Sequence, residues 1–255
     1  NGNWQPAKTG VLPEAVNEAL SGSVAWDGKV GIDLPYHAGA TYNIELNGDL
    51  KNVSSHLPSP LAKPAGEPLA VNVKVDGNLN SFELTGQAGA DNHFNSRWLL
   101  GQKLTLDRAI WAADSKTLPP LPEQSGVELN MPPMNGAEWL ALFQKGAAES
   151  VGGAASFPQH ITLRTPMLSL GNQQWNNLSI VSQPTANGTQ VEAQGREINA
   201  TLAMRNNAPW LANIKYLYYN PSVAKTRGDS TPSSPFPTTE RINFRGWPDA
   251  QIRCT

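Results

Sequence analysis

Leu69-Ala70-Val71-Asn72-Val73-Lys74-Val75-Asp76-Gly77-Asn78 places an apolar residue at every second position from Leu69 to Val75. A strand sends successive side chains to opposite faces, so this stretch has one apolar and one polar face. The same period recurs in both directions along the chain. It appears at Tyr42-Ile44-Leu46, Phe82-Leu84, Phe94-Trp98-Leu100, Leu104-Leu106, Val127-Leu129-Met131 and Ile161-Leu163. Further on it appears at Leu178-Ile180, Ile198-Ala200-Leu202-Met204 and Trp210-Ala212-Ile214-Tyr216-Tyr218. The chain therefore reads as all-β.

Four pairs, Asp27-Gly28, Asn47-Gly48, Asp76-Gly77 and Asn187-Gly188, have the composition of tight turns. Glycine adopts positive φ at little cost, and such turns join antiparallel neighbours. A meander is expected, not a βαβ fold. Two short helices interrupt it. Asn135-Gly136-Ala137-Glu138 has capping-box spacing before a helix over Gly136 to Lys145, with Trp139, Leu140 and Phe143 as its apolar stripe. An earlier helix covers Glu14 to Leu20.

Leu57 to Pro68 and Leu118 to Pro122 are proline-rich connections, and proline cannot donate to a ladder, so neither is a central strand. Asn220 to Thr239, rich in Ser, Thr and Pro, reads as a long loop. Residues 146–156 form a small-residue linker between an N-terminal part, 1–145, and a C-terminal part, 157–255.

Composition narrows the function. Net charge is −2 and no Lys/Arg cluster occurs, so duplex or single-stranded nucleic acid is not an expected partner. The single cysteine, Cys254, permits no intrachain disulfide and reads as a free thiol. No apolar run approaches the ~18 residues of a spanning helix. The start, Asn1-Gly2-Asn3, lacks Met and a signal peptide, so any anchor is expected outside this stretch.

His37, His56, His93 and His160 lie at no metal-ligand spacing and read as surface or strand-edge residues. No nucleophile elbow and no phosphate loop is present. Neither a catalytic residue, a metal nor a cofactor is expected. Most of the 8 tryptophans occupy strand-like or helix-stripe positions, which favours packing over sugar stacking.

Three phrases carry a family resemblance. The first is Val53-Ser54-Ser55-His56-Leu57-Pro58-Ser59-Pro60-Leu61-Ala62-Lys63-Pro64, which follows Asn47-Gly48-Asp49-Leu50. The second is Trp210-Leu211-Ala212-Asn213-Ile214-Lys215-Tyr216-Leu217-Tyr218-Tyr219-Asn220-Pro221, and the third is Asn243-Phe244-Arg245-Gly246-Trp247-Pro248-Asp249. In this order they resemble the YhdP/AsmA-like family of long envelope proteins, over essentially the whole chain.

The resemblance implies an elongated, twisted antiparallel sheet folded lengthwise into a taco-like groove. It also implies a periplasmic location, an inner-membrane anchor elsewhere in the parent protein, and phospholipid acyl chains as the ligand. Outer-membrane or other envelope proteins are further implied partners. Movement of phospholipid between inner and outer membranes is the implied role, with no active site to carry over. Alternation alone is equally served by a closed β-sandwich, which would suit a sugar-binding or scaffold module.

On the groove reading, one interior is shared by Tyr42, Ile44, Leu46, Val71, Val73, Val75, Phe82, Leu84, Trp98, Leu100, Leu104 and Leu106. Ile161, Leu163, Leu178, Ile180, Ile198, Leu202, Ile214 and Tyr216 continue it.

Overall fold

The computed structural model of the chain describes residues 2–5, 14–36, 39–147, 155–156, 158–220 and 250–254. The elements in order are β1 (Gly2–Trp4), α1 (Glu14–Glu18), β2 (Leu20–Gly22), β3 (Val24–Asp33), β4 (Thr41–Asp49), a 3-10 turn (Leu50–Asn52) and β5 (Val53–Ser55). Then come β6 (Ala70–Asn78), β7 (Ser81–Ala88), β8 (Asn92–Leu100), β9 (Leu104–Ala112), β10 (Gly126–Asn130), β11 (Met134–Asn135), α2 (Gly136–Ala147) and β12 (Ala155–Ser156). The last are β13 (Ile161–Leu170), β14 (Gln173–Thr185), β15 (Gly188–Gln194), β16 (Ile198–Arg205), β17 (Trp210–Leu217) and β18 (Ala250–Cys254).

One large sheet of 16 strands holds all of these except β2 and β5, which pair with each other. Its main path runs β1-β3-β4-β6-β7-β8-β9-β10-β13-β14-β15-β16-β17-β18 and does not close on itself. The all-β reading with two short helices therefore holds, as does an open, groove-compatible sheet. The helices differ from expectation only at their C-terminal ends: α1 stops at Glu18, because Leu20 already pairs with Ser55, and α2 extends to Ala147. Asn135 caps α2 by accepting from the Ala137 amide at 3.1 Å, while its own amide donates to Glu138 at 2.9 Å. Among the described residues no helix is long and apolar enough to cross a membrane.

The meander holds from β3 to β9 and from β13 to β17, but parallel pairs lie between and at the end. β10 is parallel to both β9 and β13, β11 is parallel to β13, β12 is parallel to β9, and β18 is parallel to β17. One column of the sheet is thus assembled from three separate pieces. β12 sits beside Leu104–Thr105 of β9, β10 fills the middle, and β11 continues the column beside Leu168–Ser169 of β13. A parallel neighbour needs a crossover. The proline-rich connection after β9 supplies one: Pro119 O accepts from Asn95 and Pro122 O accepts from Arg108, so it crosses the face that those two residues share. It also lies on the His93 side of β8, where His93 is buried rather than at a surface or strand edge. The ladder runs unbroken from β9 through this column to β13, on both sides of 146–156. Most of that linker, residues 221–239 of the expected long loop, the third resemblance phrase and His37 fall outside the described residues.

Three of the four expected turn pairs lie inside strands. Asp27-Gly28 is in β3, Asn47-Gly48 in β4 and Asp76-Gly77 in β6; only Asn187-Gly188 makes a turn, into β15, with Gly188 at φ 148°. The in-strand glycines instead make room for neighbours. A Cβ on Gly77 would meet the Tyr42 ring and Phe82 at about 2.7 Å, and one on Gly28 would meet Leu46 at 2.6 Å. At Gly86 it would come within 1.9 Å of the Phe94 ring. Glycine inside a strand marks such close approach.

A polar knot fixes the end of the sheet near β16. Glu197 is buried, and its carboxylate accepts from the Asn176 amide N–H at 2.6 Å, from Asn176 Nδ2 at 2.8 Å and from Asn220 Nδ2 at 3.1 Å. Gln173 joins it by accepting from the Asn220 N–H and donating to Tyr218 O. Burial opposes ionisation, but the hydrogen bonds from Asn176 and Asn220 outweigh it and hold the Glu197 carboxyl below its ordinary range.

Two stability predictions follow from these contacts. Gly86→Val is expected to destabilise the sheet by roughly 1–3 kcal/mol in urea unfolding, since the Phe94 ring must leave its place. For Glu197, a lowered folded-state pKa means that the stabilisation is present above the unfolded carboxylate's pKa, about 4.3, and is lost as pH falls through the folded value. Urea midpoints measured from about pH 6 down to about pH 3 should therefore fall more steeply for the native chain than for Glu197→Gln. Parallel pH profiles would contradict the role given to the carboxylate.

Candidate functional site: an open apolar face

Residues paired across a ladder project to the same face, so the register assigns every strand residue to one side of the sheet. One row of partners runs Gly28, Leu46, Val73, Gly86, Phe94, Trp111, Leu129, Leu163, Ile180, Ala193, Ala200, Ile214. It crosses twelve strands, from β3 to β17, without one polar side chain. The next row runs Val30, Ile44, Val75, Leu84, Ser96, Ala109, Val127, Ile161, Ser182, Val191, Leu202, Ala212, interrupted only by two serines. A third, shorter row joins Ile32, Tyr42, Gly77, Phe82, Trp98 and Leu106, in which the Phe82 and Trp98 rings stack at 6.1 Å.

The opposite face has the contrary chemistry. Its row runs Lys29, Glu45, Lys74, Thr85, Asn95, Ile110, Glu128, Thr162, Val181, Glu192, Thr201, Asn213. Arg164 donates to Glu128 at 2.9 Å on the same side. Opposite charges alternate across Lys29, Glu45 and Lys74, an arrangement that suits a solvated surface.

The lining residues expected from sequence all fall on the apolar face except one. Val71 lies there beside Gly48 and Ala88, Leu100 pairs with Leu104, Leu178 pairs with Thr165, and Ile198 keeps the parity of Ala200. Tyr216 departs. A bulge between Asn199 and Ala200 pairs Ile214 with Ala200 but Tyr216 with Asn199, on the other parity. The Tyr216 hydroxyl donates to Gly195 O at 2.8 Å, and its ring stacks on Tyr218. A second bulge, between Arg97 and Trp98, leaves Leu106 and Ala109 on one face although they are three residues apart.

Strand β3 and the aromatics Phe94 and Trp111 belong to this face but were not among the expected lining residues. The signal existed in Trp26-x-Gly28-x-Val30-x-Ile32, where glycine hides the alternation.

The apolar face is not the inside of a closed sandwich. Among the described residues no large side chain is less than 2% exposed, while Val30 and Ile32 on this face are 66% and 69% exposed. A packed two-sheet core would bury its central residues fully.

Among the described residues, a packed cluster and α2 cover part of this face. Ala113, Met131 and Met134 form a buried cluster, with Trp111, Leu129, Leu163 and Leu168 packed around it, and Trp139 of α2 sits against that cluster. Trp111, Leu129 and Leu163 lie in the first apolar row, so α2 rests on the apolar face and not behind it. Among the described residues no cluster of three or more His, Cys, Asp or Glu is placed to hold a metal.

A family model described as YhdP protein matches residues 1–255. No solved structure matches the chain.

Proposed function

The chain belongs to the YhdP family, and from that premise we propose that it is one segment of a hydrophobic groove that conducts phospholipid between the inner and outer membranes of a Gram-negative envelope. Membership by itself suggests a lipid-transport-related role and a periplasmic region of an envelope protein. The finer reading is supported by one observation above others: an uncharged row of side chains crosses twelve strands on a face left open to its surroundings.

The physics favours a lipid on such a face. Exposing two acyl chains of about fifteen methylenes each to water costs roughly 24 kcal/mol, at about 0.8 kcal/mol per CH₂. A continuous apolar row lowers that cost at each step along the path, because no charge interrupts it and forces the chain to leave. The polar face stays hydrated, and the head group remains in water beyond the strand ends. The parent protein's inner-membrane anchor and contacts with other envelope proteins belong to the same proposal. No step in it requires catalysis or a cofactor.

Val73 and Lys74 provide the test, being adjacent in β6 and on opposite faces, between Leu46 and Gly86 and between Glu45 and Thr85 respectively. A photo-crosslinking residue at Val73 should capture phospholipid when the chain is expressed in a Gram-negative periplasm, and one at Lys74 should not. Val73→Asp should lower co-purified phospholipid at least about tenfold, the factor that ~1.4 kcal/mol gives, since an ionised carboxylate in hydrocarbon is costly to desolvate. Its circular dichroism should match that of the native chain. Equal capture at both positions, or none at any position of the apolar rows, would remove the conduit reading.

A further inference from the structure

The two rims of the groove are built differently, and the difference assigns the path of the lipid head group. At one rim, where β4 ends and β6 begins, the chain leaves the sheet for 20 residues and builds a cover. Asp49 anchors its base by accepting from the Lys51 and Leu69 amides, both at 2.9 Å, and the Gly66 N–H donates to Lys51 O at 2.7 Å. β5 pairs with β2, and Ser55 and Lys63 exchange backbone hydrogen bonds of 2.7 and 2.9 Å. Lys63 Nζ closes the loop by donating to Val53 O at 2.9 Å and Pro64 O at 3.0 Å. Val53 and Leu57 are buried within this cover.

Helix α2 links that cover to β13. Its first residue, Gly136, lies against Ser169 O and the Leu168 side chain of β13. Trp139 packs on the Met131 and Met134 cluster, and its indole N–H donates to Ser59 O at 3.0 Å. Helix α1 touches α2 as well. Between β4 and β13 this rim is therefore roofed by hydrogen-bonded, packed polypeptide.

At the other rim the β6–β7 and β8–β9 connections are tight, and β12 lies beside the start of β9. β6 turns into β7 through Leu79-Asn80, with Asn78 Oδ1 accepting from the Asn80 and Ser81 amides, and β8 turns into β9 through Gly101 to Lys103. Among the described residues no helix lies over these turns. Leu79 is 72% exposed, and Leu99 and Leu100 are exposed too.

We propose that α2, positioned by Trp139, shuts the head group out of the roofed rim, so that a diacyl phospholipid travels with its head group along the rim of the β6–β7 and β8–β9 turns. This rests on the lipid-groove reading and adds an orientation to it. A phosphate or ammonium needs water or hydrogen-bonding partners, and pushing it under a roof lined by Met131, Met134 and Trp139 would strip both away. At the turn rim, water and the amides of Asn78, Asn80 and Gln102 are at hand.

The test uses phosphatidylethanolamine carrying a diazirine, loaded on the full chain, with cross-linked peptides mapped by mass spectrometry. With the diazirine on the head group, cross-links at Leu79–Asn80 and Gly101–Lys103 should exceed those at the roofed-rim turns Gly89–Asp91 and Asp114–Lys116 at least about fivefold, a preference of ~1 kcal/mol. Trp139→Ala should shrink that ratio, and Trp139→Phe, which keeps a ring on the cluster, should shrink it less. With the diazirine at the acyl end, cross-links should fall on the apolar rows in all three chains. Acyl cross-links with head-group cross-links equal at both rims, or richer at the roofed rim, would overturn the orientation alone. Absence of acyl cross-links would overturn the groove itself.

Discussion

Everything in this molecule depends on the pleat keeping its parity across neighbouring strands. A strand has two faces, and a slip of one residue exchanges them. Twelve strands, joined by hairpins, the proline-rich crossover after β9 and a column made of three pieces, keep the same parity from Gly28 to Ile214. A slip of one residue between β4 and β6 would have set Glu45 opposite Val73. The parallel column is the place where slippage is least restrained by a tight turn. There the register is held by packing: Leu129 pairs with both Trp111 and Leu163, and the adjoining Met131 is buried under α2. The helix that roofs the rim thus also secures the register at the weakest point of the ladder.

Bulges and glycines tune the same face. The bulge at Arg97/Trp98 lets Leu106 follow Trp98 and still leaves Ala109 inward, so the apolar rows pass it unbroken. The bulge at Asn199/Ala200 has the opposite effect at the end of the sheet, where it takes Tyr216 off the apolar parity and gives its hydroxyl to Gly195. Glycines at 28, 77 and 86 alternate with Leu46, Tyr42, Phe82 and Phe94, so large side chains lie down over them instead of colliding. The face is smoother than its aromatic content suggests.

The apolar rows were legible in the sequence because alternation is a local property. Val71, Val73 and Val75 announce their face without reference to any partner, and so do Ile161 and Leu163. The glycine pairs misled for a reason that is equally physical. Asn-Gly and Asp-Gly favour tight turns only when nothing competes, and in β3, β4 and β6 a bulky cross-strand neighbour claims the space over the glycine. Parallel pairing of β10 with β9 and β13 left no local mark, since it is decided by where a crossover lands. The same is true of the roof: Trp139 reads as part of a helix stripe, but Ser59, its hydrogen-bond acceptor, is 80 residues away.

A groove of this kind needs a face that stays open, which a folding chain ordinarily avoids because exposed apolar area invites association. The structure limits that hazard without closing the face. Charged and amide side chains fill the opposite side, where Lys29, Glu45 and Lys74 keep it hydrated. The polar knot at Glu197 ties Asn220 to the start of β14 and secures the end of the sheet through hydrogen bonds rather than apolar cover. Val53, Leu57, Ala113, Met131 and Met134 are buried under α2 and the adjoining cover, while Ile110 and Ala112 are buried on the opposite face and Leu106 toward the other rim. Apolar cover and openness are separated across the width of the same strands: one rim carries the packed roof, and the other leaves its apolar rows within reach of a ligand that carries its own polar end.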